Sequence, residues 1–283
     1  MTESTESVNE NDAGSLENFI RSYPKLTILS GAGCSTASGI PDYRDDQGNW
    51  KHRQPMQFSD FVGNTTNRQR YWAQSFSGWQ RISNAKPNAA HVAIAKLEEL
   101  GHVNCVITQN VDNLHREAGS RNVIDLHGVL HRVRCLDCDL DRCRREFQGA
   151  LRESNPNWSA QIASIAPDGD ASLTTKDFSS FVVPGCIACG GVLKPDVVFF
   201  GESVSAQKIS SAREHLHQSD ALLVVGSSLM VFSGYRFARD ASEAEIPILI
   251  LNRGTTRADD LATLKLSGDC VEVLSAGATR LAA

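Results

Sequence analysis

Apolar residues along this chain gather in short dense runs separated by longer mixed stretches. Residues 25–29, 103–108, 123–126, 196–200, 221–225 and 246–251 are rich in Val, Ile and Leu. Runs of this length with no polar face suit strands buried on both sides of a parallel sheet. Over 91–100 the spacing changes. Val92, Ile94, Ala95, Leu97 and Leu100 recur at helical intervals. Strands alternating with helices predict an α/β fold with a doubly wound, Rossmann-like parallel sheet. Residues 45–86 are polar and aromatic, with Trp50, Phe58, Phe61, Tyr71, Trp72 and Trp79. They predict short helices forming a separate layer. Residues 1–15 carry Glu3, Glu6, Glu10 and Asp12, with no Lys or Arg before Arg21. They read as a disordered, solvated acidic tail.

At 283 residues the chain can bury a large core. Its net charge of −5 argues against a nucleic-acid partner, which leaves a basic footprint. No apolar run reaches membrane-spanning length, and the start lacks both a basic secretory n-region and an Arg-rich transit pattern. A cytoplasmic protein with no membrane partner is expected, and disulfides are not. The eight cysteines then matter for another reason. Cys135 and Cys138 form one C-x2-C pair, Cys186 and Cys189 a second. A two-residue spacer lets both sulfurs of a pair reach one metal, so the two pairs predict a closed structural zinc site of four thiolates. Cys34, Cys105, Cys143 and Cys270 read as small buried hydrophobes. The long stretch between the pairs is rich in turn residues at 154–158 and 166–170. It reads as an inserted loop, with the sheet resuming at Gly191.

The candidate chemistry clusters where strands end. Gly31-Ala32-Gly33 follows the first strand and precedes Ser35, a pattern that lets backbone approach a phosphate at a helix N-terminus. The third glycine of the hydride-transfer fingerprint is missing, and no acidic residue ends a second strand about 20 residues on. A bound dinucleotide not used for hydride transfer fits this pattern. Gly226-Ser227-Ser228 and Asn252-Arg253-Gly254 each follow an apolar strand and read as further walls of the same crevice. The polar run 108–115, containing Gln109, Asn110 and Asp112, also follows a strand. So many polar groups there need partners or a function. His127 ends another strand and is the candidate general base, with His115 and His131 as rivals.

Together these residues resemble the sirtuins, NAD-dependent protein deacylases. The matching runs are 31–44, 108–112, 126–128, the two cysteine pairs, 194–202, 226–229 and Asn252. Residues 233–237, the long loop in the zinc module and 256–261 are similar to the class II branch, which holds the fourth human sirtuin of mitochondria and bacterial members. The resemblance spans 16–283 as one catalytic domain. It implies a Rossmann part at 16–45, 86–132 and 191–283, and a small domain of helices at 46–85 and a zinc module at 133–190. Acyl-lysine and NAD would enter the cleft between the two parts from opposite sides.

By this resemblance Ala32, Asp42, Tyr43 and Arg44 belong to the loop over NAD. Gln109, Asn110 and Asp112 hold the nicotinamide and its ribose, and Asn252 and Cys270 sit by the adenosine end. Val198 and Gly201, within Val198-Phe199-Phe200-Gly201-Glu202, pair with the substrate backbone as an added strand. The acyl oxygen attacks the nicotinamide ribose, nicotinamide leaves, and His127 takes a ribose hydroxyl proton, giving free lysine and O-acyl-ADP-ribose. The partners implied are acyl-lysine proteins, and a monomer is expected. Mono-ADP-ribosyl transfer at the same NAD site, or NAD sensing with weak catalysis, are the alternative functions. Cys34, at a helix N-terminus, is expected to have a lowered pKa and to be oxidisable.

Overall fold

The computed structural model describes residues 5–51, 55–166, 170–175 and 177–283. In chain order the helices are α1 (Thr5–Ser22), α2 (Phe58–Gly63), α3 (Thr65–Asn84), α4 (Ala89–Glu99), α5 (Leu114–Glu117), α6 (Arg144–Ser154), α7 (Ala206–His217), α8 (Phe232–Glu243) and α9 (Cys270–Ala282). The strands are β1 (Leu26–Ser30), β2 (Val103–Thr108), β3 (Val123–Asp125), β4 (Gly128–Cys135), β5 (Asp141–Cys143), β6 (Ile162–Ile165), β7 (Ala171–Leu173), β8 (Leu193–Val197), β9 (Ala221–Val225), β10 (Ile248–Leu251) and β11 (Leu264–Leu266).

The main sheet has six parallel strands in the order β11-β10-β9-β1-β2-β3. Its strands β9 and β10 are apolar throughout, and β1 and β2 mostly so, because both faces are covered. Leu16, Leu97 and Val273 pack with Ile28, Val106 and Leu223 on one face. Leu216 and Phe237 pack with Leu29, Ile107 and Leu222 on the other. From β1 the chain winds outward to β2 and β3 on one side and to β9, β10 and β11 on the other. The order therefore reverses between β1 and β9, and a crevice opens at their carboxyl ends.

The run at 196–200 departs from its expected place. Only Asp196 and Val197 of it are strand, as the end of β8, which pairs antiparallel with β4 in a separate three-stranded sheet ordered β5-β4-β8. The main sheet resumes only at Ala221, not at Gly191. An apolar run reads alike in either sheet, so the pairing was not encoded in its composition.

A second core holds the small domain together. It joins Phe61, Tyr71 and Trp72 of α2 and α3 to Val133, Cys135, Phe147, Cys186 and Leu193. The Trp72 indole donates to the Leu193 carbonyl at 3.2 Å. The expected short helices of 45–86 are in fact one short helix and the 20-residue α3. The inserted loop contains an antiparallel hairpin of β6 and β7. Its expected turn at Pro167, Asp168 and Gly169 lies outside the described residues. Among the described residues, no helix is long and apolar enough to cross a membrane.

The expected acidic tail is the other correction. From Thr5 onward it is helical, as the first part of α1. Ala13, Leu16, Phe19 and Ile20 are buried at helical spacing, and Leu16 and Ile20 join the α9 residues Val273 and Leu274 in one core. The acidic groups are anchors: Asp12 accepts the Gly268 N–H at 2.7 Å, and Glu10 pairs with Arg280. Leu16→Ala is therefore expected to cost about 2–5 kcal/mol. A correspondingly lower denaturant midpoint with an unchanged slope checks this.

Candidate active site

A cavity of about 980 Å³ opens at the carboxyl ends of the main sheet. Two backbone loops meet on its floor. Gly31 follows β1, and its N–H donates to the Val225 carbonyl at 3.0 Å. The Gly33 N–H donates to the Gly226 carbonyl at 2.8 Å. A Cβ added at Gly31 would lie 2.6 Å from that of Ser227. Glycine is needed there because two chains touch. Ala32–Ser38 then turns as a 3-10 helix rather than an α-helix.

The cavity gathers the residues singled out along the chain. Its walls include Gly31, Ala32, Gly33 and Ser35, then Asp42, Tyr43 and Arg44, then Gly226, Ser227 and Ser228. Asn252, Arg253, Gly254 and Cys270 line it as well. Gln109, Asn110, Asp112 and His127 come from the loops after β2 and β3. Val198, Phe199, Phe200, Gly201 and Glu202 line it as an irregular segment after β8. Glu202 shapes that segment, accepting the Phe199 N–H at 2.8 Å and the Lys194 ammonium at 3.1 Å. The Val198 N–H donates to the His127 carbonyl at 2.8 Å, which ties the segment to the β3–β4 turn.

The polar run after β2 is paired, not merely solvated. The Asn110 amide donates to the Gly31 carbonyl and to Ser35 Oγ, each at 3.0 Å. The Ser35 hydroxyl donates to Asp112 at 2.7 Å, and the Leu114 N–H donates to it at 2.9 Å. Burial nonetheless pushes the Asp112 carboxyl above its ordinary value. Gln109 donates to Ser227 Oγ at 2.8 Å. This network locks the β1 and β2 loops to each other before any ligand arrives.

His127 is half-buried and held at both nitrogens. Nδ1 lies 2.9 Å from the Gln109 carbonyl oxygen, and Nε2 lies 2.7 Å from Ser233 Oγ. A carbonyl only accepts, so Nδ1 carries the proton. Nε2 then offers its lone pair and accepts from the Ser233 hydroxyl. Burial, against the Gln109 bond, pushes the imidazole down to about 4. The neutral, basic form is the resting one.

The rival histidines stand elsewhere. Neither is among the residues lining the cavity. His115 is buried on α5, 4.8 Å ring to ring from His91, and donates or accepts at Ser30 Oγ. His131 sits on β4 against Trp79. Cys34 also differs from expectation. It is fully buried behind the loop, and burial raises its thiol well above the ordinary value. A helix-dipole effect is overridden by desolvation. Cys34→Ser is expected to keep activity within about tenfold; steady-state rates beside an NAD-binding check measure it.

Away from the cavity, Cys135, Cys138, Cys186 and Cys189 converge with all four sulfurs within 4.8 Å of one another. The Cys135–Cys189 and Cys138–Cys186 sulfurs are 3.5 and 3.7 Å apart. Four thiolates at about 2.3 Å from one zinc have nearly this spacing. The Asp137 and Gly191 amides each donate to a sulfur at 3.4 Å, as a thiolate site requires. Cys143 is not in the cluster.

Ser233 was not among the candidate site residues, and neither was Trp50, whose ring lies 4.1 Å from the Arg44 guanidinium. Ser233 stood out only within the run 233–237 and without a role, because that role depends on α8 beginning beside the β3–β4 turn.

A parallel dinucleotide-type sheet, a cysteine tetrad and a cleft holding one neutral imidazole define the class. The chain belongs to the Sir2 family, whose model matches residues 31–233. It catalyses NAD-dependent lysine deacylation. It is 54% identical over 261 residues to an NAD-dependent protein deacetylase 2 of Bradyrhizobium diazoefficiens, covering 92% of this chain and 96% of that one. It is 49% identical to the bovine NAD-dependent protein lipoamidase sirtuin-4, mitochondrial, covering 92% of this chain and 83% of the relative. Among solved structures, a Sir2 enzyme studied for mechanism and regulation superposes with a TM-score of 0.74 at 31% identity, covering 98% of both chains. A Sir2 structure with p53 peptide and NAD+ superposes at 0.70 and 30% identity, covering 92% and 93%.

Proposed function

We propose that His127 is the general base of this deacylase and that Asn110 and Asp112 act earlier, at nicotinamide release. The observation that carries this is the fixed tautomer. The Gln109 carbonyl holds the proton on Nδ1, so the lone pair at Nε2 faces the cavity side held by Ser233. In the same reading Gly31, Ala32, Gly33, Ser35, Gly226, Ser227 and Ser228 cradle the NAD phosphates, where the lack of side chains lets two loops approach closely. Asp42, Tyr43 and Arg44 cover the dinucleotide. Gln109 joins Asn110 and Asp112 around the nicotinamide ribose. Asn252, Arg253, Gly254 and Cys270 take the adenosine end.

Val198, Phe199, Phe200, Gly201 and Glu202 offer an edge to the acyl-lysine segment of a protein substrate. Cys135, Cys138, Cys186 and Cys189 hold one zinc that is structural, since four thiolates leave no open position. The bacterial deacetylase relatives support a cytoplasmic place for the protein.

The test is mass spectrometry of an acyl-lysine peptide panel incubated with enzyme and NAD. It should include acetyl and lipoyl groups, since one relative is named a deacetylase and another a lipoamidase. Loss of the acyl group with formation of O-acyl-ADP-ribose is the expected result. Transfer of ADP-ribose to protein without deacylation would favour the transferase reading.

A further inference from the structure

Phe232 opens α8 at the rim of the cavity, and it is 45% exposed. Three guanidinium groups surround its ring. Those of Arg236, Arg239 and Arg257 lie 5.1, 5.5 and 6.0 Å from its centroid. Arg257 also lies over Tyr235, at 4.2 Å. Three like charges around one ring repel. Arg239 is neutralised, with Asp240 at 3.7 Å and Glu243 at 3.4 Å. No described carboxylate forms an ion pair with Arg236 or Arg257. Arg236 Nε, like Arg239 Nε, is moreover buried and has no hydrogen-bond partner among the described residues. The fold thus holds two uncompensated cations at one spot, in a chain whose net charge is −5.

The place of this cluster gives it meaning. Arg236 lines the same cavity as His127. It lies one helical turn beyond Ser233, which donates to His127. Arg257 and Phe232 face solvent. The cluster thus begins inside the cleft and ends in solvent at its rim. An exposed ring flanked by free guanidinium forks fits a short acidic side chain. The methylenes rest on the ring and the carboxylate takes the forks.

We propose that Phe232, Arg236 and Arg257 form a subsite for an Asp or Glu side chain of the substrate protein, close in sequence to the acyl-lysine. This rests on the reading that the acyl-lysine segment lies along Val198–Glu202. The subsite selects substrates by charge and takes no part in the chemical step.

The experiment uses the full-length enzyme and peptides with one acyl group. Glu, Gln or Lys is placed in turn at each position within three residues of the acyl-lysine. Peptide affinity in the presence of NAD is measured by fluorescence polarisation, beside KM and kcat. Glu at one or two positions is expected to bind about five- to tenfold tighter than Gln, the range of a partly desolvated charge pair. Lys should bind worse than Gln, kcat should not change, and salt should weaken the preference. The double variant Arg236→Gln/Arg257→Gln should erase the preference while still turning over the Gln peptide.

Equal affinities in the native enzyme, or a preference that survives in the double variant, would overturn the subsite. An Arg236-dependent gain that follows a carboxylate on the acyl group instead would do so too. If no peptide is turned over, the deacylase reading of the cleft is what fails, and the affinities still decide the subsite.

Discussion

His127→Ala is expected to slow deacylation by about 10²–10⁴-fold while NAD still binds. The size follows from the role of a positioned base. The selectivity follows from the geometry, because the loops at Gly31 and Gly226 meet without help from the imidazole. Nicotinamide exchange should suffer less, since it needs no proton transfer to this ring. Asp112→Asn should harm both reactions, because Ser35 and the Leu114 amide both depend on that carboxylate. The pH profile adds a sharper check. The ordinary imidazole value of about 6.5 would place the acid limb of kcat/KM near neutrality. Burial pushes His127 down to about 4. A lowered value keeps the basic form populated as the pH falls, so that limb should lie well below 6.5. Full deacylase activity in His127→Ala would remove the imidazole from the mechanism.

Cys186→Ala is expected to empty the metal site and melt the small domain. Structural zinc contributes about 10–16 kcal/mol of apparent binding energy in small modules. Cys135 and Cys186 are also part of the core that contains Trp72, Phe147 and Leu193. Losing the metal would loosen β8, and with it the segment Val198–Glu202 that lines the cleft. Deacylation should therefore vanish although the proposed four-thiolate site leaves the metal no open position for substrate. Metal analysis, near-ultraviolet circular dichroism and activity, measured together, check this. Less than about half a zinc per native chain, or a folded and active variant, would sink the idea.

Much of this molecule is legible in its order of residues. The buried strands β1, β2, β9 and β10 announce themselves because both sheet faces are apolar, and glycine is demanded where the loops after β1 and β9 touch. The apolar run 196–200 pointed to a strand, but β8 runs from Leu193 to Val197 and pairs with β4, since bounds, register and sheet membership arise from packing on α3 and the cysteine tetrad. The α1 helix hid behind its acidic residues, although Ala13, Leu16 and Ile20 carry the helical period. Around the cavity, Gly31–Gly33, Ser35, Gln109, Asn110, Asp112, Gly226–Ser228 and Asn252–Gly254 were visible as glycine-rich or polar runs at strand ends, whereas Asp42–Arg44, Val198–Glu202 and Cys270 came from the resemblance alone. The role of Ser233 and the free charges of Arg236 and Arg257 were not visible, because a missing partner is a property of space and leaves no trace in spacing. Cys34 misled for a related reason: its place at a helix start is local, while its burial is not.

The packing of α1 on α9 is a contact of great sequence separation, and such contacts are expected to form late. Leu16 and Ile20 are buried partly by Val273 and Leu274, residues synthesised more than two hundred positions later. The middle strand β1 likewise gains its β9 neighbour only after the whole small domain has emerged. Local pieces, the α2–α3 pair and the β6–β7 hairpin among them, are able to form early. The central sheet waits for contacts of great sequence separation, whose closure is entropically slow. Until α9 arrives, the apolar stripe of α1 is only partly covered. Helix α9 thus completes the burial of α1 across more than two hundred intervening residues, and a chain lacking α9 would leave part of the α1 apolar stripe exposed.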